Sequence, residues 1–157
     1  MTQNSTILIP KIALYEPDIP QNTGNIFRLG ACLGISVDII EPTGYIFHDK
    51  RFKRSSMDYI KHIDYKRHLD WDIFFSWSKK NNFRLILLTT KADEVLWDFK
   101  FKDTDTLVMG RESAGVPTEV HNACDAHIKL PMFGKARSLN VAMTAGMAIS
   151  EALKQTR

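Results

Sequence analysis

The alternation of short apolar runs with longer amphipathic segments constrains the fold of this sequence more than any other feature. Short runs in which at least half of the residues are apolar predict strands at 12–15, 37–40, 85–88, 106–109 and 127–130. Segments that favour helices lie between or after them, at about 25–33, at 71–80, after Pro117 and at 138–155. Continuous apolar strands are typical of a sheet that is buried on both faces. The alternation therefore predicts an α/β fold with a mostly parallel sheet flanked by helices.

Size and composition indicate one globular domain over residues 1–157. Hydrophobic residues make up 44% of the chain and charged residues 25%, which excludes a disordered chain and a coiled coil. No stretch approaches the roughly 20 apolar residues of a membrane-spanning helix. The two cysteines, Cys32 and Cys124, form no CxxC pair and favour a reducing compartment. We therefore expect a cytoplasmic protein, and its net charge of +3 permits a nucleic-acid partner.

Three polar loops are candidates for ligand binding, because ligands of parallel sheets bind at the carboxyl ends of the strands. They follow predicted strands at 89–93, 110–117 and 131–138. The second loop, GRESAGVP, contains two glycines that would let the backbone approach a ligand closely. A plain tight turn before a helix explains the same residues equally well. The sequence has no GxGxxG motif and no Walker loop, which argues against a dinucleotide or nucleoside-triphosphate site.

The start of the last predicted helix is a further candidate binding position. Ser138 and Asn140 lie there, where unpaired backbone N–H groups favour anionic or polar ligands. Residues spaced to pack in the core follow one face of this helix, and they are Leu139, Met143, Gly146, Ile149 and Leu153. Alanines on the adjoining face allow another helix to approach closely.

The histidines and cysteines form no recognisable metal-binding or nucleophilic motif. The spacing of His121, Cys124 and His127 matches no standard zinc arrangement, and no second Cys or His pair completes four ligands. A GxSxG nucleophile motif is also missing from the sequence. We therefore expect no metal site.

The densest group of charges in the chain is basic. It consists of Lys50, Arg51, Lys53 and Arg54, and aromatic residues follow it closely. This combination suits phosphate contact and base stacking, which favours RNA binding. Nearby aspartates leave a second interpretation open, in which the segment is a solvated surface without a ligand.

Four motifs occur together and in a fixed order along the chain. They are NTGNIFR at 22–28, LLTTK at 87–91, MGRESAGVP at 109–117, and LP followed by ARSLNVA within 130–142. Together they resemble the SPOUT superfamily of trefoil-knotted RNA methyltransferases. The stretches YEPDIPQNTGNIFRL, IIEPTGY and DKRFKR are most similar to one branch, the tRNA (cytidine/uridine-34-2′-O)-methyltransferases.

This resemblance implies a SPOUT-type fold whose C-terminal part is tied in a trefoil knot, with S-adenosylmethionine bound in the knot loops. It also implies a homodimer with the RNA site at the subunit interface. The expected substrate is the wobble nucleotide, C34 or U34, in the anticodon stem-loop of leucine tRNAs. Residues 50–54 would then contact RNA, and the chemistry needs no metal.

The same resemblance assigns roles to individual residues. Cofactor contacts fall on Leu88, Gly110, Leu130 and Ser138. The catalytic set falls on Asn22, Arg28, Glu112 and Asn140. We expect Arg28 to position and activate the ribose hydroxyl or the adjoining phosphate, because an arginine side chain stays protonated and is a poor base. The resemblance leaves both roles open for Arg28, positioning the hydroxyl or accepting its proton.

Three other functions are compatible with the pattern. They are a 2′-O-methyltransferase acting on another tRNA or rRNA position, a non-catalytic RNA-binding module of the same fold, and a small-nucleotide binder. The joint presence of Arg28, Glu112, Ser138 and Asn140 favours an enzyme, since a pure binding protein need not keep them together. Arg111, where the family often has proline, is a departure expected to alter RNA contacts rather than cofactor contacts.

Overall fold

The computed structural model describes residues 7–47, 54 and 59–157, and within them seven strands form one sheet in which every pairing is parallel. The strands are β1 Lys11–Tyr15, β2 Val37–Ile40, β3 Tyr65–His68, β4 Arg84–Leu88, β5 Glu94–Val95, β6 Asp105–Met109 and β7 Ala126–Lys129. Their order across the sheet is β3-β2-β1-β6-β4-β7-β5. The predicted α/β class and parallel sheet are confirmed.

Helices cover both faces of this sheet: α1 Pro20–Leu33, α2 Trp71–Lys80, α3 Thr118–Ala123 and α4 Val141–Thr156. Local residues set their ends. The Asp70 carboxylate accepts a hydrogen bond from the Ile73 N–H at 2.8 Å and caps the start of α2. Gly34 ends α1 with a φ of 69°, a conformation that favours glycine. In the described part of the chain, no helix has both the length and the apolar character needed to cross a membrane.

Successive residues of each strand supply two separate apolar layers, because their side chains point to opposite faces of the sheet. On β1, Ile12 and Leu14 join the core formed with α1 and α4. Ala13 and Tyr15 join the core formed with α2 and α3. The central strands are therefore hidden from water on both faces, as their apolar sequences predict.

Helix α1 begins at Pro20, earlier than the predicted start near Asn25. Proline suits the first turn because its missing N–H has no helical partner there and its φ already matches a helix. Thr23, the predicted N-cap, instead lies buried within the helix, where its hydroxyl accepts a hydrogen bond from the Tyr45 hydroxyl at 2.7 Å. The earlier start places Asn22 on a rigid helix rather than in a loop.

Helix α4 packs on the core through its alanine face. Ala145, Ala148 and Ala152 are fully buried. The prediction that Met143 and Leu139 pack in the core is wrong, because their side chains are 60% and 37% exposed. Small alanines let this face of the helix approach the core closely, and the methionine face is therefore left outside.

Candidate active site

A cleft of about 540 Å³ opens at the carboxyl ends of β4, β6 and β7. Its walls come mainly from the loops that follow these strands, which are the three ligand loops predicted at 89–93, 110–117 and 131–138. Because β4 lies between β6 and β7 in the sheet, the ends of three adjacent strands meet at this point. Residues distant in sequence are thereby brought to one site.

All four residues predicted to bind the cofactor line this cleft. Leu88 ends β4, Gly110 directly follows β6, Leu130 directly follows β7, and Ser138 precedes α4. Two of them supply apolar side chains, one supplies bare backbone and one supplies a hydroxyl. This mixture of apolar walls and a few polar groups is typical of small-molecule sites.

The loop after Gly110 is closed tightly on itself. The Arg111 N–H donates to the Gly115 carbonyl at 3.1 Å, and the Gly115 N–H donates back to the Arg111 carbonyl at 2.9 Å. A Cβ atom at position 110 would lie 2.9 Å from the Gly115 Cα, closer than real Cβ atoms approach other atoms. Gly115 itself has a φ of +60°, which favours glycine. The tight turn and the cleft wall are thus the same structure.

Three of the four predicted catalytic residues form one hydrogen-bonded network. The side-chain amide of Asn22 donates to Glu112 Oε1 at 3.3 Å, and the amide of Asn140 donates to Asn22 Oδ1 at 2.9 Å. Asn140 Oδ1 in turn accepts from the Ala142 N–H at 2.9 Å and so caps α4. The network links α1, the loop after β6 and the start of α4, and it fixes the orientation of both amides.

A second carboxylate that the sequence analysis missed, Asp18, completes this network. The Asp18 N–H donates to Glu112 Oε2 at 3.0 Å, and the two side chains are in hydrogen-bonding contact. The Ser113 hydroxyl also donates to the Asp18 carboxylate. Burial and the contact with Asp18 raise the pKa of Glu112, whereas the same contact lowers the pKa of Asp18.

The fourth predicted catalytic residue, Arg28, lies elsewhere on the surface of the chain. It is on α1 six residues after Asn22 and is exposed. It is not among the residues that line the cleft. A single chain therefore places the network at the cleft and Arg28 on the outer face of the helix.

Most of the predicted basic RNA-binding segment cannot be placed, because Lys50, Arg51 and Lys53 lie outside the described residues. Arg54 is described and exposed. Farther along, the edge strand β3 carries Lys66 and Arg67. The Lys66 ammonium lies 4.7 Å from the centre of the Trp77 ring, and Arg67 forms an ion pair with Glu41.

The two histidines near the cleft form a stacked pair. The His121 and His127 rings are 4.2 Å apart and nearly parallel, with 13° between their planes. The His127 Nε2 contacts the His121 carbonyl at 2.5 Å. In residues 7–47, 54 and 59–157, no three His, Cys, Asp or Glu side chains are grouped so that they would hold a metal ion.

The amino-acid sequence is similar to those of known proteins. The model of the SpoU rRNA methylase family matches residues 10–150. Over 144 residues the chain is 48% identical to a tRNA (cytidine(34)-2′-O)-methyltransferase of Beijerinckia indica, which covers 92% of this chain and 90% of that protein. Over 146 residues it is 38% identical to the Escherichia coli K12 protein of the same name, with 92% of each covered.

Comparisons of structure agree with the sequence matches. A structure described as "Structural insights into the 2-OH methylation of C/U34 on tRNA" gives a TM-score of 0.89 at 34% identity, over 94% of this chain and 96% of that one. The SpoU methyltransferase AviRb of Streptomyces viridochromogenes, in complex with AdoMet, gives a TM-score of 0.85 at 24% identity. That match covers 95% of this chain and 60% of AviRb, and at this identity it shows the shared fold.

Proposed function

The chain belongs to the SpoU rRNA methylase family, and we propose that it is a tRNA 2′-O-methyltransferase whose substrates are leucine tRNAs. The enzyme transfers a methyl group from S-adenosylmethionine to the ribose 2′-hydroxyl of the wobble nucleotide, C34 or U34. The choice of leucine tRNAs, read through the anticodon stem-loop, follows from the motif resemblance and is the finer part of the proposal.

One observation supports this function above the others: the four residues predicted to bind the cofactor lie at the same cleft as the hydrogen-bonded network that contains Glu112. Its volume of about 540 Å³ lies within the roughly 300–1,000 Å³ of small-molecule sites. Gly110 and the tight loop that follows it line the cleft with backbone, a surface that fits the adenine ring of S-adenosylmethionine. When bound, this cofactor supplies an electrophilic methyl group on a sulfonium.

The chain's own residues would hold and orient the reactants. Leu88 and Leu130 offer apolar walls, and Ser138 offers a hydroxyl close to the start of α4. Asn22 and Asn140, held by their mutual hydrogen bond, would orient the ribose beside Glu112. Such positioning lowers the barrier by holding the hydroxyl in line with the methyl group.

We propose that the active unit is a homodimer, because one chain leaves Arg28 away from the cleft. Met143 and Met147 form an exposed apolar stripe on α4, and they are 60% and 47% exposed. Helices α1 and α4 pack against each other through Leu29 and Gly146, so the faces carrying Arg28 and the methionines lie on neighbouring helices. Docking a second copy there would cover the stripe and complete the site with the partner's Arg28.

Several further features belong to the same proposal. Residues 1–157 form a single SPOUT domain in which the loops of the cleft are tied as a C-terminal trefoil knot. Lys50, Arg51, Lys53 and Arg54 contact the phosphates of the tRNA anticodon stem-loop. The enzyme works in the cytoplasm, where its tRNA substrates are, and it uses no metal.

Nucleoside mass spectrometry of purified leucine tRNAs tests this function. A strain that lacks the gene should lose the 2′-O-methyl group at nucleotide 34, and the intact gene should restore it. The purified enzyme should methylate the same nucleotide in the presence of a chelator. Loss of a methyl group at another tRNA position or in rRNA would assign the enzyme to a different substrate within the family.

A further inference from the structure

Glu112 lines the cleft and contacts a second carboxylate, Asp18, and neither has the neighbours of an ordinary surface acid. Glu112 is half-buried and accepts hydrogen bonds from the Asp18 N–H at 3.0 Å and the Asn22 amide at 3.3 Å. The Asp18 carboxylate accepts from the Ser113 hydroxyl. Its second oxygen, Oδ1, is buried and receives no hydrogen from a donor group in the described part of the chain.

When both side chains are ionised, this arrangement can take up one proton and hold it between them. Two carboxylates in hydrogen-bonding contact repel when both are ionised, and one bound proton turns the repulsion into a hydrogen bond. Glu112 is the natural holder of that proton. Its pKa is raised by burial and by Asp18, whereas the pKa of Asp18 is lowered. The pair therefore titrates as one unit.

We propose that Asp18 and Glu112 act as one unit that accepts the proton leaving the ribose 2′-hydroxyl, with Glu112 as the catalytic base and Asp18 as the positioning residue that tunes it. This inference rests on the proposed function, since it names the fate of a proton that the methyl transfer must release. It gives Asp18 a role that the motif resemblance does not assign.

The proposed step balances in atoms and charge. The ribose 2′-oxygen forms a bond to the methyl carbon, and the carbon–sulfur bond breaks with its electron pair going to sulfur. The hydroxyl proton goes to the ionised carboxylate of Glu112, where contact with Asp18 stabilises it. The proton then leaves to water, and the pair returns to its starting charge.

The raised pKa of Glu112 suits this task. A carboxylate with an ordinary pKa is a weak base at neutral pH, and a base becomes more effective as its pKa approaches the working pH. Arg28 cannot take this part, because its guanidinium is already protonated. An arginine is better suited to hold the adjoining phosphate while the carboxylate pair accepts the proton.

Other charged groups near the pair are already engaged or lie across the cleft. The Tyr45 hydroxyl donates to Thr23, and burial raises its pKa to about 12, so it stays neutral. Arg111 is 3.9 Å from Glu16 in an ion pair. The positively charged residues on the other walls of the cleft are Lys91, Lys129 and, when protonated, His121.

The pH dependence of single-turnover methyl transfer tests the proposal. Glu112→Gln keeps an acceptor for Asn22 but cannot take a proton, so the rate at the plateau should fall by about 10² to 10⁴-fold. Asp18→Asn removes the charge that favours protonated Glu112 and offers an amide donor to its ionised form. The pKa of Glu112 then falls, so the acid limb of the profile should move to lower pH while the plateau rate falls roughly tenfold.

The matched control is Asp103→Asn. It removes the same charge from an exposed residue just before β6, at the end of the strands opposite the cleft, and its profile should equal that of the wild type. Melting temperature and affinity for S-adenosylhomocysteine, measured for every variant, report on folding and on the cofactor site. A purely structural role of Asp18 would change the melting temperature without moving the acid limb.

The pH profiles of the two variants either support or overturn the proposed role of the carboxylate pair. A shifted acid limb in Asp18→Asn, with product affinity retained, supports the proton-accepting pair. An acid limb that stays in place, or a Glu112→Gln variant with wild-type plateau rate, overturns it. Failure of the wild-type enzyme itself to methylate nucleotide 34 would instead overturn the proposed function, so the two failures are distinguishable.

Discussion

At Gly110, a single hydrogen atom in place of a side chain allows the wall of the cleft to form. The residue faces the backbone of Gly115 so closely that an added Cβ would lie 2.9 Å from its Cα and 3.0 Å from its carbonyl carbon. These are backbone atoms held by two hydrogen bonds, so they cannot swing aside as a flexible side chain would. The absence of a Cβ is a structural requirement before it is a feature of ligand recognition.

Gly110→Ala should therefore open the loop. We expect a cost of about 1–3 kcal/mol in the free energy of unfolding, as for other overpacked positions, and at least a tenfold weaker binding of S-adenosylhomocysteine by calorimetry. Gly134→Ala is the control on the neighbouring cleft loop, because a Cβ there meets no atom within 4 Å. Equal affinity in the two variants would contradict this account of Gly110.

Among whole elements, α4 shows how one side chain serves both folding and chemistry. Asn140 caps the helix with its oxygen and holds Asn22 with its nitrogen. The cap contributes to the stability of the helix, whereas the amide bond to Asn22 reaches the catalytic network. The two contributions are separable because aspartate caps a helix as well as asparagine does but has no amide to donate.

Asn140→Asp should keep the free energy of unfolding near that of the wild type and still lose most of the methyl-transfer rate. Asn140→Ala should lose the rate and, in addition, about 1 kcal/mol of stability. Urea unfolding and single-turnover assays at one pH measure the two effects. If Asn140→Asp retained the wild-type rate, the hydrogen bond to Asn22 would have no part in catalysis.

The elements that the sequence predicted well are those with a strong local signal. Helix α2 is predicted at its observed bounds from its aromatic face, and β4 is predicted from its apolar run. Strand β3, with the polar sequence YKRH, was missed because it is an edge strand that pairing with β2 holds in place. No local signal identifies such a strand.

The difference between local and long-range signals also applies to the residues of the candidate site. The motifs point to residues that line the cleft because these lie at strand ends or close to a helix start, and the roles of these residues stay predictions. Asp18 carries no such signal, since its partner Glu112 is 94 residues away in sequence. On the face of α4 predicted as core, Ile149 is fully buried whereas Met143 is exposed, because helical spacing identifies an apolar face but not how much of it is covered.

On the scale of the whole molecule, the exposed stripe of α4 and the position of Arg28 raise the same question of assembly. Met143→Lys combined with Met147→Lys should convert the protein to a monomer in sedimentation experiments and abolish methyl transfer, because each charge would be buried in the interface. Ile73→Lys, at a residue 48% exposed on α2, is the control on the opposite face. A double variant that stays dimeric would place the interface elsewhere.

Subunit mixing tests whether Arg28 acts across that interface. Arg28→Ala alone should abolish methyl transfer while cofactor binding and folding remain, because the residue lies outside the cleft. Mixed with Gly110→Ala chains, it should regain about one working site per heterodimer, since both defects then fall in the other site. Heterodimers confirmed by mass that show no activity would place Arg28 in the site of its own chain.

The order of strands in the sheet also has a consequence for how the chain becomes a protein. Strand β4 pairs with β6 and β7, both of which follow it in sequence, and β1 reaches β4 only through β6. A ribosome makes the amino-terminal part first, so the apolar segment RLILL emerges before either of the strands that will flank it. Until synthesis passes Met109, β1, β2 and β3 are separated from β4 by an empty place in the sheet. The cleft therefore forms only after the loops that follow β6 and β7 have been synthesised, and until then the nascent chain exposes the apolar strand β4.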